Sequence, residues 1–143
     1  MSTITKEAAV GQEFSGKPKR ISWQRLWAFS GGPFAAEGWP KKNLHTDTQV
    51  AITCGLPSVA ASATQFQGYM AELMVNLFGE EWFRRGEMTL KFIKPVPDDD
   101  VLTSKVRVQS KEEGSPTKIT FEAWCENKNG EPVAVGTASG LIP

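Results

Sequence analysis

The stretch KKNLHTDTQ, residues 41–49, holds the only histidine in the chain. An imidazole can take up and release a proton near neutral pH, so His45 is a candidate acid/base group. The plainer reading is a polar loop residue standing just before a helix. Two carboxylates lie close to it in sequence. Glu37 sits in the preceding loop, and its plainer reading is a solvated side chain. Asp47 follows His45, and its plainer task is at a helix start. Further along, Glu72 falls in the middle of a helical pattern. Gln65 and Gln67 carry amides that could bind a substrate or simply bond their neighbours. Cys54 and Cys125 are far apart, form no CxxC pair and have no zinc spacing. Both are read as buried thiols packed like small hydrophobes. With one histidine and no clustered thiols, no metal site is expected.

These groups need elements to hold them. Residues 1–11 are small and polar and read as a flexible N-terminus. A short strand is expected around Phe14 to Ile21. SWQRLWAFSGG reads as a helix capped by Ser22 and stopped by Gly31 and Gly32. Residues 31–45 form a long loop rich in Gly and Pro, and such loops are often functional. Thr46-x-x-Gln49 has the capping-box pattern, with Asp47 inside the first turn of a short helix that ends at Gly55. Over residues 60–78 the apolar positions Phe66, Met70, Leu73, Met74, Leu77 and Phe78 recur at helical spacing. Gly68 interrupts this helix, which suggests that something packs very close to it. Trp39, Trp82 and Phe83 read as packing residues.

The remainder alternates at strand period. GEMTLKFIKPV, VLTSKVRVQS, KITFEAWCEN and EPVAVGTASGLIP read as strands, with PDDD as a turn and Asn129-Gly130 as a hairpin. An antiparallel meander needs cover on one face, and one apolar helix is available. The expected fold class is α+β, a sheet wrapped around a central helix.

Composition sets limits on all of this. The 143 residues suit one domain able to bury a core without staples. Sixteen basic and sixteen acidic residues give no net charge, which argues against a nucleic-acid partner. No run suits a signal peptide or a membrane span, so a cytoplasmic protein with no membrane association is expected.

The order of elements, with NLHTD, then GLPSVAASATQFQGYM, a helix ending LFG, and MTLKFIKPVPDDD, resembles the MaoC-like dehydratases. These are the (R)-specific enoyl-CoA hydratases of the hot-dog fold. The resemblance is strongest from Trp39 to Val108 and extends over residues 12–142, within a single domain of residues 12–143. It implies a hydratase/dehydratase, a lyase acting on a 2-enoyl or 3-hydroxyacyl thioester. His45 matches the family histidine. Ala63, eighteen residues later, matches the position whose backbone amide binds the thioester oxygen, and Ser62 precedes it. A helix N-terminus suits that oxyanion. The family aspartate, five residues before the histidine, is replaced by Pro40. Glu37 is the substitute candidate for activating water.

The resemblance also implies a homodimer and no metal or redox cofactor, with coenzyme A entering as part of the substrate. Ser62, Gln67 and Asp47 are candidate substrate contacts. Arg84 and Arg85, with Lys91 and Lys94, are candidates for the coenzyme A phosphates, although a solvated strand edge explains them equally well. Three alternatives stand beside the hydratase. One is a noncatalytic accessory subunit paired with a second hot-dog chain, as Pro40 would suit. Another is an acyl thioesterase using Glu72. The last is a lyase or isomerase of altered chemistry.

Overall fold

The computed structural model describes residues 3–143. Ten elements follow in order: β1 (Glu13–Ser15), β2 (Lys19–Arg20), α1 (Trp23–Ser30), α2 (Thr48–Thr53), α3 (Ala63–Phe78), α4 (Glu80–Arg85), β3 (Glu87–Phe92), β4 (Val101–Glu112), β5 (Thr117–Glu126) and β6 (Pro132–Ile142). The sheet runs β1-β4-β5-β6-β3, every pair antiparallel, with β2 also on β4. β3 therefore ends the sheet and pairs on one side only.

The period-two pattern places the core. Leu102, Ser104, Val106 and Val108 of β4 are buried, as are Ile119, Phe121, Ala123 and Cys125 of β5. Against that face lies α3, burying Phe66, Met70, Leu73, Met74, Leu77 and Phe78. The rings of Phe78 and Phe121 meet edge to face with centroids 5.9 Å apart. Gly140 of β6 permits this contact, because a Cβ there would lie 2.6 Å from the Phe78 ring. The expected α+β class, a sheet wrapped around one long helix, is what forms.

Several local readings change. The strand expected over Phe14 to Ile21 divides into β1 and β2, with Gly16 and Pro18 between them. α4 was not expected. Its glutamates, Glu80 and Glu81, fill the first turn, and Arg84 and Arg85 the last, an arrangement that suits the helix dipole. Residues 1 and 2, part of the stretch expected to be flexible, lie outside the described residues. From residue 3 onward the segment packs on the domain. Ile4 and Ala8 are buried, and the backbone N–H groups of Thr3 and Ile4 donate to the Leu77 carbonyl. Cys125 is buried as expected, but Cys54 is exposed at the end of α2. No helix among the described residues is long and apolar enough to cross a membrane.

Candidate active site

The loop that carries His45 is fixed from both sides. α1 starts as expected, with Ser22 Oγ accepting from the Arg25 N–H at 3.3 Å, and ends at Gly31. Trp27 and Trp39 meet edge to face, 5.9 Å apart, which ties the loop to α1. The backbone returns close to the end of α1, where the Lys41 N–H donates to the Gly31 carbonyl at 2.8 Å. Pro40 fills the space beside Gly31; a Cβ on that glycine would come within 2.8 Å of the Pro40 Cβ. Pro40 thus has a packing role at the position where an acidic group was sought.

Asn43 is the hub of the turn. Its Nδ2 donates to the Ser30 carbonyl at 2.8 Å, and its Oδ1 accepts the His45 N–H at 2.9 Å. The buried hydroxyl of Thr46 accepts from the Asn43 N–H at 3.0 Å and donates to the Lys41 carbonyl at 2.6 Å. The expected capping box does not form, because Thr46 is occupied in this turn. Asp47 is the N-cap of α2 instead, its Oδ1 accepting from Val50 N–H at 3.0 Å.

Among the described residues, the half-buried His45 ring makes one hydrogen bond. Its Nδ1 lies 2.6 Å from the carbonyl oxygen of Ala60. A carbonyl only accepts, so Nδ1 carries the hydrogen. In the neutral ring the lone pair is then on Nε2, which has no protein partner among the described residues. In this tautomer Nε2 is the ring's hydrogen-bond acceptor. Ala60 is itself pinned through Ala61, whose N–H donates to the Val96 carbonyl at 2.7 Å, and through its bridge to Pro97. The same short segment leads into α3.

Ser62 is the N-cap of α3 by backbone, but its Oγ bonds Thr64 Oγ1 at 2.8 Å and caps no N–H. Ala63 is the first helical residue, so its N–H has no partner within the helix. His45 is thus tied, through Ala60, to the short segment that leads into the start of α3, where the Ala63 N–H stands.

Other candidates lie elsewhere. Glu37 is exposed in the loop and makes no hydrogen bond or ion pair among the described residues. Gln67 is exposed, whereas Gln65 is the buried amide of the pair, donating from Nε2 to the Tyr69 hydroxyl at 3.0 Å. Glu72 is ion-paired with Lys19 at 2.8 Å. Arg84 and Arg85 pair with Glu80 and Glu81 of their own helix, and the Arg85 guanidinium holds the Glu81 carboxyl below the usual range. They line a depression with Lys118, Ser139 and Leu141, apart from the groove that Gln65 lines. Lys94 pairs with Glu131 at 2.8 Å.

Gly68 departs from expectation most. Nothing lies within 4 Å of the place its Cβ would occupy. It borders a groove of about 500 Å³ between α1 and α3, lined also by Lys19, Arg25, Ala28, Phe29, Gln65 and Tyr69. Lys19, Arg25 and Tyr69 were not singled out from the sequence. The helical spacing of Gln65, Gly68, Tyr69 and Glu72 was the available signal.

Solved structures share this architecture along nearly the whole chain. A MaoC-like dehydratase from Rhodospirillum rubrum superposes with a TM-score of 0.76 at 20% identity, covering 96% of this chain and 94% of the other. The chain has the hot-dog fold. An (R)-hydratase from A. caviae, involved in PHA biosynthesis, gives a TM-score of 0.73 at 19% identity over 97% and 100% of the two chains. The HadBC complex from Mycobacterium tuberculosis, a 3R-hydroxyacyl-ACP dehydratase, gives 0.66 at 15% over 96% and 100%. No protein-family model matches the sequence, and no curated protein matches it.

Proposed function

We propose that this hot-dog chain is a hydratase/dehydratase-type lyase that adds or removes water on a 2-enoyl/3-hydroxyacyl thioester. The observation that carries the reading is the His45 tautomer. Nδ1 is committed to the Ala60 carbonyl at 2.6 Å, and Nε2 is left to exchange protons. The named hydratase and dehydratases of the same fold support it.

In the hydration direction a water oxygen bonds to the β-carbon while its proton passes to His45 Nε2. The π electrons move to the thioester oxygen, where the Ala63 N–H stabilises the charge. The enolate then takes at its α-carbon the proton held on His45 Nε2, which restores the free base and closes the balance. Dehydration is the reverse. Coenzyme A or a carrier protein supplies the thioester, and the steps as written call for no metal or redox cofactor. Glu37 is the proposed second group on the water. A homodimer joined along β3 would cover the free sheet edge.

A second reading is an accessory subunit within a pair of hot-dog chains. Pro40 in place of an acidic side chain favours it, and HadBC is a complex of this fold.

The test is hydration of a panel of 2-enoyl-CoA thioesters, read as loss of the conjugated absorbance, for wild type, His45→Ala and Glu37→Ala. Turnover lost in both variants, with the fold intact, supports the pair. Turnover lost only in His45→Ala keeps the lyase and discards Glu37. No turnover by any of the three proteins overturns the enzyme reading in favour of the accessory subunit.

A further inference from the structure

Neither His45 nor Ala63 lines the groove between α1 and α3, and three features of the groove are left unexplained by the packing. The first is Gly68. A glycine inside a helix is destabilising relative to alanine, a cost usually explained by close packing. Here a Cβ would meet open space, and the missing side chain leaves the groove wider at this point. The second is Gln65, which is 4% exposed and lines the groove. Tyr69 satisfies one end of its amide, and the other end, Oε1, has no partner. A buried amide atom left without a partner is destabilising. The third is the rim. Phe29 is 51% exposed, and Arg25 has no side-chain partner among the described residues.

These features specify one chemistry. Ala28, Phe29, Gly68 and the Tyr69 ring offer apolar surface. The charged groups lining the groove, Lys19 and Arg25, are both cations. Glu72, from the next turn of α3, already pairs with Lys19, whose Nζ also stands 5.9 Å from the Tyr69 ring centroid. That leaves Arg25 as the uncompensated charge, and guanidinium grips a carboxylate through paired hydrogen bonds. Turning the Gln65 amide over keeps the Tyr69 contact, with the hydroxyl donating to Oε1, and frees the NH2 to donate to an anion.

We propose that the α1–α3 groove is a binding site for a small amphipathic anion, an alkyl or aryl body ending in a carboxylate, held by Arg25 with Gln65 and Lys19. It needs no thioester and no turnover, so it stands or falls independently of the lyase reading.

The probe is octanoate, titrated into the whole protein without any thioester, with binding read from backbone amide shifts in NMR. Saturable shifts centred on Gln65, Gly68 and Tyr69 are expected. Gly68→Leu, which fills the open space on a helix that accepts leucine well, should raise Kd at least tenfold. Arg25→Gln should weaken binding severalfold. Glu72→Gln, which releases Lys19, should tighten it. 1-Octanol should bind more weakly than octanoate. An absence of saturable shifts at these residues, an unchanged Kd in a folded Gly68→Leu, or octanol binding as tightly as octanoate overturns the proposal.

Discussion

Nδ1 of His45 lies 2.6 Å from the carbonyl oxygen of Ala60, in the segment that leads directly into α3. One contact therefore fixes the tautomer of the ring and ties it to the helix start that carries the Ala63 N–H. The proposed acid/base group and the proposed oxyanion donor are thus tied to one corner of the chain. The corner holds because Asn43 anchors the His45 backbone to the end of α1.

On the proposed lyase reading Asn43 is accordingly a positioning residue. Asn43→Ala removes the donor to the Ser30 carbonyl and the acceptor of the His45 N–H together. Denaturant unfolding should show a loss of about 1–3 kcal/mol. Hydration, measured on the folded variant, should fall mainly in kcat, and Asn43→Asp should recover part of it. The carboxylate can still accept from His45 but cannot donate to Ser30. A variant with full kcat would separate the turn from the chemistry.

Asp47 and Glu37 are both carboxylates near the histidine, and the structure gives them different places. Asp47 caps α2 through Val50 N–H, so Asp47→Ala should cost about 1 kcal/mol of stability. Asp47→Asn should keep most of the cap. Thermal melts of the two variants beside Glu37→Gln, which should leave stability within about 0.5 kcal/mol, check the division.

Much of the fold was legible because its signals are local. The alternation in 101–108 and 119–125, the apolar steps of 66–78 and the Asn129-Gly130 turn each name an element without reference to partners. The features that were missed depend on what lies opposite. Gly68 reads as close packing until the path of α1 is known, since only that path leaves its surroundings open. Gln65 and Gln67 are equivalent in sequence, and their faces differ only once α3 has been seated. α4 is too short to show a period; its signal was the charge order Glu80-Glu81 to Arg84-Arg85. Thr46 met the capping pattern, but the turn at Asn43 claimed its hydroxyl first.

Gly68 gives a stability test that needs no ligand. Because its Cβ site is empty and its neighbours are helical, Gly68→Ala should stabilise the protein by about 0.5–1 kcal/mol. Urea unfolding would check this. A destabilised Gly68→Ala would mean that the helix backbone is approached closely after all, as the sequence alone suggested.

Cys125 is buried at the β4–β5 register beside Ser104, and burial pushes its thiol up to about 12. The folded state then holds a proton that the unfolded thiol releases near pH 9. Between those values the unfolded state binds fewer protons, so stability falls as pH rises, by up to about 1.4 kcal/mol per unit. Below pH 9 the contribution is fully present. The measurement is the urea midpoint of wild type and Cys125→Ala at pH 8 and pH 10.5. The part due to Cys125 is the steeper fall of wild type relative to Cys125→Ala. Cys54, being exposed, should react with a thiol reagent in the native state while Cys125 waits for unfolding.

The free edge of β3 supplies the last test. Phe92 and Ile93, at its end, are 38% and 50% exposed, and the Phe92 ring lies edge-on to buried Phe66 with centroids 5.3 Å apart. Large apolar side chains beside an unpaired row of backbone groups would be covered if a second copy extended the sheet. Ile93→Asp places a charge there without touching the core. Sedimentation should then show a dimeric wild type and a folded, monomeric variant. If both sediment as monomers, the β3 edge is not a self-interface. If both sediment as dimers, the copies meet through another surface.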